Sequence, residues 1–219
     1  MTRVSISVFV IALTTSLPKP GFAQERPAEV QASALLVAQP ATTPYPRISP
    51  PLSGQTLAGA LGLSRFITPR TAVEAEIVLG GSISNPQRFA YSWSVDYVAE
   101  SRDTLFNLLT RWHPTRSRAF AIVAGGGMAR TTVRSHSRIR TDAFLPGRPT
   151  TREADQQIHG WDVTLTGGVD VLVPVTARVA LAPTARVRWI RRPSQDGLSR
   201  QLGHSRYAFH LGTGIRLAF

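Results

Sequence analysis

Cysteine is absent from the 219 residues, so there is no disulfide framework, no cysteine for lipid attachment, and no thiolate for a metal or a nucleophile. Lysine is nearly absent as well: Lys19 is the single one, and everything after it is basic through arginine alone. Acidic residues are scarce, 13 against 25 basic ones, which leaves a net charge of +12 that needs a physical home. No apolar run reaches the roughly 20 residues of a spanning helix. The five histidines include no His-x-His or His-x3-His pair, so no metal site and no cofactor is expected.

What is present begins with Arg3, a mostly apolar stretch over 4–17 and the small-x-small sequence Gly21-Phe22-Ala23. This is the pattern of a secretory signal peptide, residues 1–23, cleaved on export. Residues 24–54 carry Pro40, Pro44, Pro46, Pro50 and Pro51 and no sustained period. They are predicted to form a disordered periplasmic leader or a partial plug, with at most a turn of helix over 32–37. Residues 55–219 then form one domain by length.

From Thr56 the chain breaks into short alternating segments. In the last of them Tyr207, Phe209, Leu211, Ile215, Leu217 and Phe219 share one face, and Ala208, His210, Gly212, Gly214, Arg216 and Ala218 the other. Large apolar groups outward and small or charged groups inward suit a wall between lipid and a polar lumen. Similar segments run over 56–66, 73–80, 89–97, 104–112, 119–130, 161–173 and 179–189. Eight such strands close an antiparallel up-and-down transmembrane barrel with no edge left in lipid.

The long polar stretches 131–157 and 191–203 are expected outside the cell, and the short turns 113–118 and 174–176 in the periplasm. Strict alternation then makes the tight turn Thr68-Pro69-Arg70-Thr71 extracellular and 81–87 periplasmic, against their lengths. If 68–71 is periplasmic instead, 89–112 becomes one long strand with its loop, and the leader supplies another strand.

Inward positions hold Glu74, Glu76, Asp96, Asp162 and Asp170 against Arg186, Arg188, Arg216 and, by extension, Arg111. The interior of an eight-stranded barrel is just wide enough for side chains to fill. These charges are therefore expected to form a paired plug, because an unpaired buried charge costs several kcal/mol. A narrow ion path lined by the same residues is the alternative. Gly125-Gly126-Gly127 lacks the Lys-Ser/Thr of a phosphate loop and suits strand crowding instead.

Catalysis has one candidate, His204-Ser205 at the start of the last segment, weighed because some barrels of this size modify lipid A. Adjacent strand residues point to opposite faces, so these two do not make a dyad by position alone. The expectation is a protein that is not an enzyme.

The long polar stretch carries Arg130, Arg134, Arg138, Arg140, Arg148 and Arg152 against Asp142, Glu153 and Asp155. Arginine suits bidentate phosphate contact. Outer-membrane lipid and lipopolysaccharide, or an acidic polymer outside the cell, are the partners this charge implies. No specific nucleic acid is expected for an exported chain. Aromatic residues at Phe89, Tyr91, Trp93, Tyr97, Trp112, Trp161, Trp189, Tyr207 and Phe219 fall largely at segment ends, as interfacial girdles do. The crowding over 89–97 also fits a segment that projects above the membrane.

The terminal alternating strand ending in Phe219 resembles the closing strand of outer-membrane barrels, which the barrel-assembly machinery reads through a C-terminal aromatic. With Phe66-Ile-Thr-Pro-Arg70, Ala124-Gly-Gly-Gly127, Gly167-Gly-Val-Asp-Val171, Arg186-Val-Arg188 and Gly212-Thr-Gly-Ile-Arg-Leu-Ala-Phe219, residues 55–219 resemble the porin-like, opacity-type (OmpA-like) outer-membrane β-barrel domain family. That resemblance implies an eight-stranded barrel in the cell outer membrane, with surface loops used for envelope integrity or adhesion, and no shared catalytic residues.

Overall fold

The computed structural model describes residues 28–40, 53–90, 93–115, 118–141, 150–191 and 205–219. The proposed signal peptide, Tyr91, Arg148 and His204 lie outside the described residues.

The described residues form ten strands: β1 (Ala28–Gln39), β2 (Gly54–Phe66), β3 (Thr71–Ala90), β4 (Trp93–Trp112), β5 (Phe120–Thr141), β6 (Thr150–Val171), the short β7 (Val173–Pro174) and β8 (Val179–Leu181), β9 (Thr184–Ile190) and β10 (Tyr207–Ala218). Each pairs antiparallel with its neighbour in the order β1-β2-β3-β4-β5-β6-β9-β10, and β10 pairs with β1, which closes the ring at eight positions. β8 continues the line of β9 along β10, on the far side of Pro183. Following paired residues once around from Ala28 through Arg65, Val73, Thr110, Ala124, Gly167, Val187 and Phe209 returns to β1 at Ala38. That stagger along β1 is the strand tilt a closed barrel requires.

Two expectations are corrected by this pairing. The leader is not uniformly disordered, nor helical over 32–37: Glu29, Gln31 and Ser33 alternate with Val30, Ala32 and Ala34, and β1 hydrogen-bonds along its length between β2 and β10. An alternating segment beside two open edges gains backbone bonds on both sides, which outweighs the prolines that follow it. Turn 67–70 also lies at the same end as 113–118, since the His113 N–H donates to the Arg70 carbonyl at 2.8 Å. The chain over 81–87 is therefore not a turn but the middle of β3, and 98–103 the middle of β4. Ala28, the first described residue, and Phe219 sit at this short-turn end, where they exchange backbone bonds of 3.2 and 3.0 Å.

Strand length then separates two regions. A tilted strand crosses a bilayer in roughly 9–11 residues. β1, β2 and β10 have 12–13 residues, whereas β3 and β4 have 20 each and β5 and β6 have 22 each. The latter four run on past the rim as a four-stranded blade, so 131–157 is not an irregular loop but paired strand as far as its described residues go. β3 enters the blade through a register shift between Leu79 and Ser82, at Gly80-Gly81, and such a bulge re-aims a strand.

Below the blade the outward positions are apolar and exposed: Leu61 on β2, Leu108 on β4, Ile122 on β5, Leu165 on β6, Val187 on β9 and Leu211 on β10. This is the lipid-facing belt of a transmembrane barrel. Trp112, Phe120 and Phe219 border it at the short-turn end, and Trp161 and Tyr207 at the other. Phe89, Trp93 and Tyr97 belong to the blade, beyond the belt.

Candidate functional site

The inward positions of the barrel, together with residues of the short turns at its end, build a filled lumen. At the short-turn end, Phe66 and His113 are both buried and stack with centroids 5.6 Å apart. The guanidinium of Arg118, at φ 54°, lies 4.1 Å from the Phe66 ring centroid and caps the pair. His113 Nδ1 lies 3.1 Å from the Phe120 carbonyl. Burial, with the charge of Arg111 adding to it, holds this imidazole below the ordinary histidine range.

Above this cap four carboxylates meet four guanidiniums. Arg111 pairs with Glu29 at 2.9 Å and with Glu74. Arg186 pairs with Asp170 at 3.1 Å and with Glu76, which also takes Arg188 at 2.7 Å. Arg216 reaches Asp170 at 3.3 Å and hydrogen-bonds Gln31. Neutral groups join the carboxylates: Thr184 donates to Asp170 at 2.7 Å, and Asn107 donates to Glu76 at 3.0 Å while accepting from Thr164 at 3.1 Å. Equal numbers of opposite charges, all with side chains nearly removed from solvent, make a network whose members depend on one another. Gly62 makes room in it, since a Cβ there would lie 2.8 Å from Glu74 Oε1.

Toward the outer end Leu35, Val37, Ala60, Val78, Leu105 and Ile190 form an apolar cluster. Above it Asp103 accepts from Gln39 at 3.2 Å and from Thr131 at 2.8 Å, and Thr131 also lies 3.3 Å from Asp162. The space between them, bordered by His210 and Gln39, is about 20 Å³, on the order of a single water.

The sequence expectations sort clearly against this geometry. Glu74, Glu76, Asp170, Arg186, Arg188, Arg216 and Arg111 are brought together. Asp162 is buried and inward but belongs to the outer cluster with Asp103. Asp96 is corrected outright: it is exposed on the blade, in register with Arg88 and Arg138, because 89–97 is not a membrane-spanning strand. Glu29 and Gln31 are additions, concealed in the leader although their alternation with Val30 and Ala32 is visible in the sequence.

The arginines of the long polar stretch do not form one bare patch. Arg130, Arg134, Arg138 and Arg140 fall on alternate positions of β5 on the blade's outer face, whereas Arg152 on β6 has the opposite parity and is in register with Ile139. Arg134 stands beside Glu100 of β4, Arg138 lies 3.3 Å from Glu153, and His136 lies 2.5 Å from Asp155. Ser205 is buried, and its Oγ accepts the Tyr207 N–H at 3.1 Å. Tyr207, Phe209, Leu211, Ile215, Leu217 and Phe219 all face outward, Phe219 71 % exposed. Among the described residues no group of three metal-ligating side chains is found.

No family model and no curated protein matches the chain. Among solved structures it resembles outer-membrane barrels: the Neisserial surface protein A, at 13 % identity and a TM-score of 0.42 over 88 % of this chain and 97 % of that one; OprG of Pseudomonas aeruginosa, at 12 % and 0.47 over 88 % and 96 %; and the attachment invasion locus protein Ail of Yersinia pestis, at 9 % and 0.42 over 88 % and 99 %.

Proposed function

We propose that this chain is a non-enzymatic protein of the cell outer membrane, exported through a cleaved signal peptide. In this reading the barrel is a closed anchor, and the blade formed by β3–β6 contacts lipopolysaccharide and acidic polymer outside the cell. The observation that carries the reading is the contrast in length: strands of 20–22 residues stand beside strands of 12–13 around a lumen filled with side chains. Length beyond the bilayer span adds nothing to membrane crossing, so its use lies above the membrane. β10, with its outward apolar row and terminal Phe219, is the strand offered to the barrel-assembly machinery.

Two measurements test this. The refolded protein in planar bilayers is expected to give no steady conductance; a large, stable one would sink the plugged-anchor reading. Dextran sulfate should bind in a salt-sensitive way and bind less when Arg134, Arg138 and Arg140 are changed together to glutamine. Unaltered binding by that triple variant would remove the blade arginines from the account.

A further inference from the structure

Trp161 is the outermost apolar residue on the lipid-facing row of β6. Inward along the row lie Val163 and Leu165; outward the row turns polar at His159, Gln157, Asp155 and Glu153. It is 56 % exposed and stands 5.9 Å from the Phe106 ring, at the boundary where headgroups meet acyl chains.

Two arginines bracket it. On one side Arg130 of β5 is its register partner. On the other, Arg191 extends the line of β9, its backbone N–H donating 2.8 Å to the carbonyl of Val163. Arg130 is level with Trp161 and Arg191 with Val163, so two strand spacings and a two-residue offset separate the arginine backbones, about 12 Å, a span that two arginine side chains can close on one phosphate.

The charge environment sets this pair apart from the basic residues of the blade. Farther out the bases stand against acids, with Arg138 on Glu153 and His136 on Asp155. Arg130 has Thr104 and Trp161 as its cross-strand neighbours, and among the described residues neither Arg130 nor Arg191 makes an ion pair. Two uncompensated guanidiniums at headgroup height, above an apolar strip of Met128, Val163 and Leu165, complement an anionic amphiphile.

We infer that Arg130, Trp161 and Arg191 form a binding site for a phosphorylated lipid of the outer leaflet. Its phosphate lies between the two guanidiniums, its sugar or glycerol on the indole and an acyl chain against Met128, Val163 and Leu165. The site rests on the outer-membrane placement proposed above and deepens it: lipid contact moves from the blade to its base and gains Arg191.

The test uses the full refolded barrel in a neutral-headgroup detergent, with native mass spectrometry counting bound lipid. The probes are diphosphorylated lipid A, the same lipid after phosphate removal, and inorganic phosphate. Diphosphorylated lipid A is expected to bind, and R130Q/R191Q to weaken it by about tenfold or more, the effect of losing charge-assisted hydrogen bonds at an interface. R130K/R191K should recover part of the affinity, and a gel-shift on boiling confirms that each variant folds. Inorganic phosphate should not compete, because it lacks the acyl contact. Equal binding by R130Q/R191Q and wild type, or by both forms of the lipid, would overturn the site. Dextran sulfate binding, read in parallel with R134Q/R138Q, separates the readings: loss of lipid binding to that variant with R130Q/R191Q unaffected removes this site and leaves the blade as the contact surface.

Discussion

Glu29, at the start of β1, lies 2.9 Å from Arg111, near the end of β4, across the width of the lumen. One ion pair thereby ties the first strand of the ring to the side facing it. It also marks residues 28–39 as part of the barrel wall. Deleting 28–39 is expected to leave β2 and β10 with open edges in the bilayer and to abolish folding. Band migration before and after boiling reads this out, and a variant that still shows a boiling-dependent shift would exclude β1 from the ring.

The network predicts strong non-additivity. R111M takes the nearest guanidinium from Glu74 and Glu29, leaving them Arg186 and Arg216 at 3.8 Å, and should cost about 3–5 kcal/mol, the usual effect of removing one member of a buried pair. Changing Glu74 and Arg111 together to apolar residues should cost less than R111M alone. Urea unfolding of refolded variants in lipid vesicles measures both, and strictly additive losses would show that the two residues do not interact.

Gly127 faces the lumen with its α-carbon against β4. A Cβ there would collide with the backbone carbonyl of Phe106 and lie 2.8 Å from the α-carbon of Asn107. G127A is therefore expected to destabilise the barrel by about 1–3 kcal/mol, as overpacking does. At Gly167, where nothing lies within 4 Å, the same substitution should be nearly silent. Similar losses at both positions in the unfolding assay would contradict the close β4–β5 approach.

The blade should be separable from the anchor. Replacing 134–157 by a short turn removes no member of the lumen network, so folding and the boiling-dependent shift are expected to persist. Dextran sulfate binding should be lost. If the shortened protein fails to fold, the blade supports the barrel rather than using it.

His113 provides a pH dependence outside the membrane span. Its imidazole is neutral in the fold and its pKa lies below the ordinary value of 6.5, chiefly through burial. For such a base, the unfolded chain takes up the proton first. The contribution of neutral His113 is therefore complete above the unfolded pKa of about 6.5 and declines as pH falls below it. H113Q should flatten the acid side of the stability profile relative to wild type, and parallel profiles would place His113 in solvent.

The lumen was legible because strand parity is rigid. Once Arg186 and Arg188 are on a strand beside Val187, they share a face opposite it, and the same rule joins Glu74 to Glu76. Asp96 was misplaced because parity is only as good as the span it is counted over, and the 81–87 stretch, with Gly80-Gly81 before it, reads locally as a turn. Gly80-Gly81 is instead a bulge, and a bulge leaves no periodic trace except the pair of glycines. Glu29 was missed for the opposite reason: prolines at 40 and beyond colour a whole window, while the 12 residues before them alternate cleanly.

The amino-acid order by itself determined the lipid-facing rows, the inward charges and the terminal aromatic strand, because each follows from a two-residue period and the cost of placing charge in lipid. Only the tertiary structure decided which end each turn occupies, where the chain leaves the membrane and which segment closes the ring. Those depend on register between strands distant in sequence, and register is fixed by the edges that remain unpaired after the others have joined.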